Sequence, residues 1–298
     1  MRQFWDSIYY PNYISGYNPF LLRNMNKAIE KLVDAINNRK KIVVYGVANV
    51  DGICAIASLT LLLRYLNADV EYLIYDGCKE AKTIDCEVLR EDIDFLGADL
   101  LITLGIDLKS EKEIYLCNEL NIDCIVLENK KTDLEKKYIY INPNQKGCQY
   151  RYKDLALSEL TFKLMQSIAI YYNLKSINKY LDLITIGAKW ANIPMKGENR
   201  VILKEGRKFL IQTNNYGLRA IMDFNMITEL DDSSIVKIIE FITPTVNPVG
   251  VLGNSKIVVE LLTTDDKDRT QQIVKYLHNI NKNSIIDISW LLEARKWI

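Results

Sequence analysis

The chain has 298 residues, with 38 basic and 38 acidic side chains, 49% hydrophobic and 26% charged residues, and a single histidine. This is the composition of an ordinary globular protein, which excludes a disordered chain, a collagen-like fibre and a small disulfide scaffold; the length allows two domains or one large α/β domain. Zero net charge excludes capture of nucleic acid by a global positive field and leaves only a local basic groove.

The longest uncharged apolar stretch, residues 53–63, stops at Arg64, short of the roughly 20 residues a membrane span needs. No apolar run follows Met1-Arg2-Gln3-Phe4-Trp5-Asp6, so a cytoplasmic protein without membrane contact is expected. The six cysteines show no Cys-x-x-Cys spacing and read as reduced structural thiols. The one histidine, His278, lies among Tyr276, Leu277 and Ile280 on a helical face and reads as a satisfied side chain; a paired-histidine metal site cannot be built from this sequence.

Residues 1–20 carry Phe4, Trp5, Tyr9, Tyr10, Tyr13, Tyr17 and Phe20. They read as an arm packed on the domain, with a stacking platform for bases as the alternative. A helix follows over 21–38, then an apolar strand over 42–47, the pattern of a strand buried on both faces. A helix opens at Asp51 or Gly52 and runs to about 65. Further strands are predicted at 70–75, 100–104, 124–127 and 138–141, with helices near 84–96 and 110–120. Strands alternating with helices imply an α/β fold: a five-stranded, mostly parallel sheet flanked by helices, with its site outside the carboxyl ends of the strands. Beyond Asn142-Pro143 the chain becomes mainly helical, with helices predicted at 153–172, 177–186, 200–212, 218–223, 233–243 and 256–279. The expected division is an arm and helix over 1–38, an α/β core over 39–255, and a helical C-terminal segment over 256–298.

Several stretches occur in a telling order: 21–27 leading to Lys41-Ile42-Val43-Val44-Tyr45-Gly46, Val50-Asp51-Gly52-Ile53, Ala68-Asp69-Val70-Glu71-Tyr72, and Ala98-Asp99-Leu100-Leu101-Ile102-Thr103. Asn142-Pro143, Gly197-Glu198-Asn199-Arg200 and the spacing of Pro244, Asn247, Gly250, Leu252 and Gly253 continue it. From about residue 19 to 281 the sequence resembles the RecJ single-stranded-DNA exonucleases of the DHH phosphoesterase superfamily. The resemblance implies a fold with two divalent metals, usually manganese, at the strand ends, where a metal-activated water attacks a phosphodiester. It also implies a long connecting helix, a DHH-associated domain and often an OB-like domain after this core. None of these later domains is expected within this sequence. The C-terminal residues 289–298 form an apolar, Trp-rich patch expected either to contact a dimer mate or partner or to pack on the core.

The ligand positions implied by the resemblance are largely altered. The three Asp of the first motif fall on Val47, Asn49 and Asp51, and the second motif's Asp on Gly105. The Asp-His-His triplet falls on Glu128, Asn129 and Lys130, the fourth motif's Asp on Ala191, and two phosphate-gripping arginines on Thr245 and Val251. A Lys ammonium has no lone pair to offer a metal, so a degenerate site is expected, with no catalytic residues and no cofactor. Asp51, Asp107, Glu128 and Asn192 could rebuild an oxygen-only Mg²⁺ or Mn²⁺ site, or Asp107 could cap the helix beginning near Ser110 and the asparagines serve the loops. Lys130, Lys189 and Arg200 are candidate replacement cations or anion contacts, with a solvated loop as the other reading for Lys130. Three functions follow: an inactive RecJ-like scaffold contacting single-stranded DNA or a DNA-metabolism protein, an active metal-dependent phosphoesterase, or a nucleotide-binding module.

Overall fold

The computed structural model describes residues 17–75, 83–132, 135–245 and 253–281. Two apolar runs, β1 (Ile42–Val47) and β4 (Leu100–Leu104), are buried along their whole length, because helices cover both faces of the sheet they form. With β2 (Val70–Tyr75), β6 (Asp123–Leu127) and β7 (Ile139–Ile141) they make a five-stranded, all-parallel sheet in the order β2-β1-β4-β6-β7. A separate two-stranded parallel sheet pairs β3 (Thr83–Ile84) with β5 (Asp107–Leu108). On the open β7 edge the Tyr140 carbonyl accepts from Asn24 Nδ2 at 3.0 Å and from Gln145 Nε2 at 2.9 Å, so side chains satisfy what no further strand does.

The first helices are α1 (Met25–Asn37), α2 (Val50–Tyr65) and α3 (Glu111–Glu119). The helical half follows as α4 (Leu157–Tyr171), α5 (Leu181–Trp190), α6 (Gly197–Ile211), α7 (Tyr216–Phe224), α8 (Asp232–Ile242), α9 (Ser255–Thr263) and α10 (Lys267–Asn281). Helix α2 is apolar almost all round because β1, α4, α5 and α9 pack about it. Residues of α1 and α9 belong to the same hydrophobic core as the strands, so the segments expected at either end pack onto the α/β core within the described residues. None of the described helices is long and apolar enough to cross a membrane.

The five strands lie where the apolar runs predict them. Two local expectations are corrected, and one strand pair is added. The helix over 256–279 is two helices, broken after Thr263; Asp266 Oδ1 accepts from the N–H groups of Asp268 and Arg269 and starts α10 anew. The helix over 84–96 is a short turn, Cys86–Val88, running into a π-type stretch, Leu89–Asp94. The β3–β5 pair has no counterpart among the predicted elements, since two-residue strands have no periodicity to read. His278 stacks edge-on against Phe224, with ring centroids 4.8 Å apart.

A fully buried ion pair joins α4 to α6: Lys163 Nζ contacts Glu198 Oε1. The Tyr150 hydroxyl donates to Glu198 Oε2, and Tyr17 N donates to Oε1 at 3.2 Å. Of the N-terminal aromatics only Tyr17 and Phe20 fall within the described residues; the Tyr17 ring packs edge-on to Tyr150, centroids 6.0 Å apart. The C-terminal patch over 289–298 lies outside the described residues.

Helices α5 and α6 touch through Gly206, where a Cβ would lie 1.8 Å from Thr185 Oγ1 and 2.7 Å from the Leu181 carbonyl oxygen. Gly206→Ala should therefore destabilise the fold by about 1–3 kcal/mol, although alanine is ordinarily the better helix former. Urea unfolding checks this, and a raised midpoint would contradict the close approach.

Candidate functional site

In this sheet the carboxyl ends of β1, β4 and β6 lie side by side, the register pairing Gly46 with Leu104 and Leu104 with Leu127. The next residues along these strands bring Val47, Gly105 and Glu128 to one rim. Asn49 caps α2, its side chain accepting from Gly52 N at 2.8 Å. That bond engages the oxygen a cation would need.

Asp51 lies in the first turn of α2 and is only 5% exposed. Its Oδ2 accepts from Leu157 N at 2.8 Å and its Oδ1 from Ser158 N at 2.9 Å. Both carboxylate oxygens are thus engaged by the N-terminus of α4, whose aligned peptides favour a negative charge there. The residue that should cap α4 is Ala156, which has no acceptor; Glu159 supplies one half of a capping box, its Oε2 accepting from Ala156 N at 3.1 Å. Asp51, from a distant helix, supplies the other half. Burial pushes the Asp51 carboxyl upward, countered by the Ser158 hydroxyl and the two N–H donors. Burial also pushes Glu159 up to about 8, which favours its neutral form.

Apolar groups fill the rest of the rim. Gly105 has φ +72°, and a Cβ there would lie 2.9 Å from Leu157 Cδ2 and 3.4 Å from the methyls of Val47. Ala191 packs against a small cluster of Ala156, Ala188 and Leu203. On the far side of Asp51, Gly187 of α5 comes so close that a Cβ would lie 3.0 Å from Asp51 Oδ1 and 2.7 Å from Ser158 Oγ.

Glu128 is buried and turns back on its own chain, its Oε1 accepting from Asn129 N at 3.0 Å and Lys130 N at 3.4 Å. Asn129 Nδ2 donates to the Leu155 carbonyl at 2.9 Å. Lys130 does not fill a vacated pocket: its side chain is 65% exposed, with Nζ 3.8 Å from Glu128 Oε2, a long surface pair that contributes little. Lys189 is buried on α5, where burial pushes its ammonium downward and the charges acting on it are those of Asp232 and Arg207. That environment belongs to α6 and α8 and not to the strand ends. Arg200 is exposed on α6.

The rebuilt ligand set does not assemble. Asp107 pairs with Lys136 Nζ at 2.6 Å and accepts from the Tyr138 hydroxyl and from Leu108 N. It does not cap the following helix; Ser110 does, accepting from Lys112 N at 3.3 Å. Asn192 is exposed with φ +50°, ending α5 in the left-handed conformation asparagine tolerates. Thr245 is buried, its N–H donating to Asn254 Oδ1 at 2.8 Å, and Val251 lies outside the described residues. The residues sequence reasoning missed are Leu157, Ser158 and Gly187. Ala156-x-x-Glu159, a capping box without its acceptor, is the one signal for the first two.

Residues 41–188 match the DHH family, N-terminal domain. Over 268 residues the chain is 27% identical to the single-stranded-DNA-specific exonuclease RecJ of Bacillus subtilis, spanning 89% of this chain and 33% of that protein. The crystal structure of exonuclease RecJ bound to manganese aligns with a TM-score of 0.77 at 23% identity, covering 88% of this chain and 66% of that one. RecJ in complex with Mn²⁺ from Thermus thermophilus aligns at a TM-score of 0.74 and 23% identity, covering 88% and 38%. The chain is a RecJ-like member of the DHH family. It spans about a third of the length of the B. subtilis relative, and the likeness to the solved RecJ structures is one of fold.

Among the described residues, the positions that the resemblance assigns to the manganese of those RecJ structures do not assemble a donor set. Among the described residues no group of three or more His, Cys, Asp or Glu side chains could hold a metal ion. Asp51 faces peptide N–H groups, and Val47, Gly105 and Ala191 have no side-chain donor. In this RecJ-like chain Asp51 is a cap. Asp51→Ala should lower stability in urea by about 2 kcal/mol, with Asp51→Asn losing roughly half as much, because one amide oxygen still accepts. Equal stability of all three proteins would remove the cap.

Proposed function

We propose that this chain is a non-hydrolytic RecJ-like protein: a cytoplasmic binding or scaffold protein of DNA metabolism that engages single-stranded DNA without cleaving it. The observation carrying this reading is that both oxygens of Asp51 bond to the N-terminus of α4. Metal-assisted phosphodiester hydrolysis needs cations that both generate hydroxide and clamp the phosphate. The carboxylate best placed to bind one already spends a lone pair of each oxygen on a buried helix end, and turning it toward a cation would leave those donors unsatisfied at a cost of about 1–3 kcal/mol each.

The substrate class comes from the relatives, whose names state specificity for single-stranded DNA. What supports a retained binding role is the selective nature of the changes. The parallel sheet and the helices framing its carboxyl ends are kept, whereas donors at the rim are replaced by Val47, Gly105 and Ala191. Fold and chemistry separate in this way when a scaffold outlives its reaction.

The test is digestion of a 5′-labelled single strand with Mn²⁺ and, separately, Mg²⁺. The expected result is a strand of unchanged length with the parent chain, with Asp51→Ala and with Glu128→Ala alike. Metal-dependent shortening by the parent that Asp51→Ala abolishes would overturn the proposal.

A further inference from the structure

We propose that single-stranded DNA is held on two adjoining clefts that meet at Tyr216, on the side of the molecule remote from the strand ends. The inference deepens the reading above by saying where the strand lies, and it rests on that reading for the choice of ligand. Helix α2 carries Asp51 in its first turn and Arg64 and Tyr65 in its last, about 21 Å away at 1.5 Å per residue. There a cleft of about 450 Å³ opens between the end of α2, the start of α5 and the end of α9, with Arg64, Tyr65, Lys179 and Tyr216 in its wall. A second, of about 380 Å³, lies between α7 and α10, with Tyr216, Arg219 and Lys267 in its wall.

Cations and rings alternate along this path. Lys179 Nζ sits 4.8 Å from the centroid of Tyr65 and 4.9 Å from that of Tyr180, and Lys267 Nζ sits 5.4 Å from that of Tyr216. Tyr65 is nonetheless 61% exposed. Arg219 is aimed by its Nε, which donates to the Thr213 carbonyl at 2.6 Å, and Arg64 Nη1 reaches the Thr263 carbonyl at 3.4 Å. Among the described residues Arg64, Lys179, Arg219 and Lys267 make no ion pair. The carboxylates in the walls are Asp182, Asp223 and Asp265. Asp182 is buried and occupied, accepting from Thr213 Oγ1 at 2.5 Å and Leu183 N at 2.7 Å.

A groove in which cations track phosphates while rings receive bases is the chemistry that holds an unpaired strand, and it tolerates any sequence because every base has a face. A duplex buries its base faces and could use only the cations. In a chain of zero net charge, such a local grouping is the form nucleic-acid binding must take.

Anisotropy of a 5′-labelled oligothymidylate, titrated with the full chain at several salt concentrations and without metal, tests this. Tyr65→Ala should weaken binding about tenfold. Lys179→Ala and Lys267→Ala should each flatten the salt dependence by about 0.7 in log–log slope. Lys130→Ala, at the strand ends, and Arg200→Ala, on α6 and outside both clefts, should bind as the parent does, and a duplex of equal length should bind more weakly. Unfolding midpoints confirm that each variant is folded. Binding that survives the cleft variants, or is lost only in the Lys130 or Arg200 variant, overturns the site and leaves the single-strand reading standing. Equal affinity for the duplex overturns the stacking role, and a parent that does not bind oligothymidylate at all overturns both.

Discussion

A buried carboxylate must find positive partners or lose its charge, and Asp51 finds them in the first two peptides of α4. That interaction fixes much else. It joins the start of the helix after β1 to the start of the helix leading into the C-terminal half. It supplies the acceptor that Ala156 cannot, and it lets Gly187 bring α5 onto the same point. A metal ion placed there would have to compete with donors that are fixed, dry and aligned with a helix dipole.

The residues shared with the RecJ resemblance divide by what they hold. Asn142 is fully buried and braces the loop after β6, its Nδ2 donating to the Lys130 carbonyl at 2.7 Å and its Oδ1 accepting from Asn144 N at 2.8 Å. Glu198 is the acceptor for Lys163 and Tyr150, and Asn199 Nδ2 ties α6 to the Asp154 carbonyl at 2.7 Å. These residues maintain the frame. The positions that would have offered lone pairs to cations are aliphatic, glycine, engaged with backbone, or, at Lys130, an exposed ammonium with no lone pair to give. Breaking a fully buried pair such as Lys163–Glu198 costs several kcal/mol in such folds, whereas losing a metal ligand costs the fold little once a neighbour takes over its contacts.

Much of the frame was legible in the residues. Strands β1 and β4 are apolar runs that only a doubly covered sheet accommodates, and the parallel order follows from the helices between them. Legibility failed where a partner distant in the chain decides the outcome. Nothing near Asp51 announces Leu157 and Ser158, and nothing near Asp107 announces Lys136 and Tyr138. Lys130 sits where an inward-turned cation was a candidate, but Glu128 Oε1 already accepts from the N–H groups of Asn129 and Lys130, and the Lys130 ammonium stays in water. The break between α9 and α10 failed for a different reason: Asp266 carries a capping signal in the sequence itself, but the single helix expected over 256–279 ran through it.

Whether the strand ends bind metal decides between a spent scaffold and a working enzyme. Calorimetric titration of Mn²⁺ into the chain at neutral pH should give only dilution heats through the submillimolar range, with the Asp51→Asn trace superimposable on the parent's. A saturable isotherm with about two ions per chain, abolished by that substitution, would show that Asp51 leaves α4 to bind metal and would contradict its role as a cap.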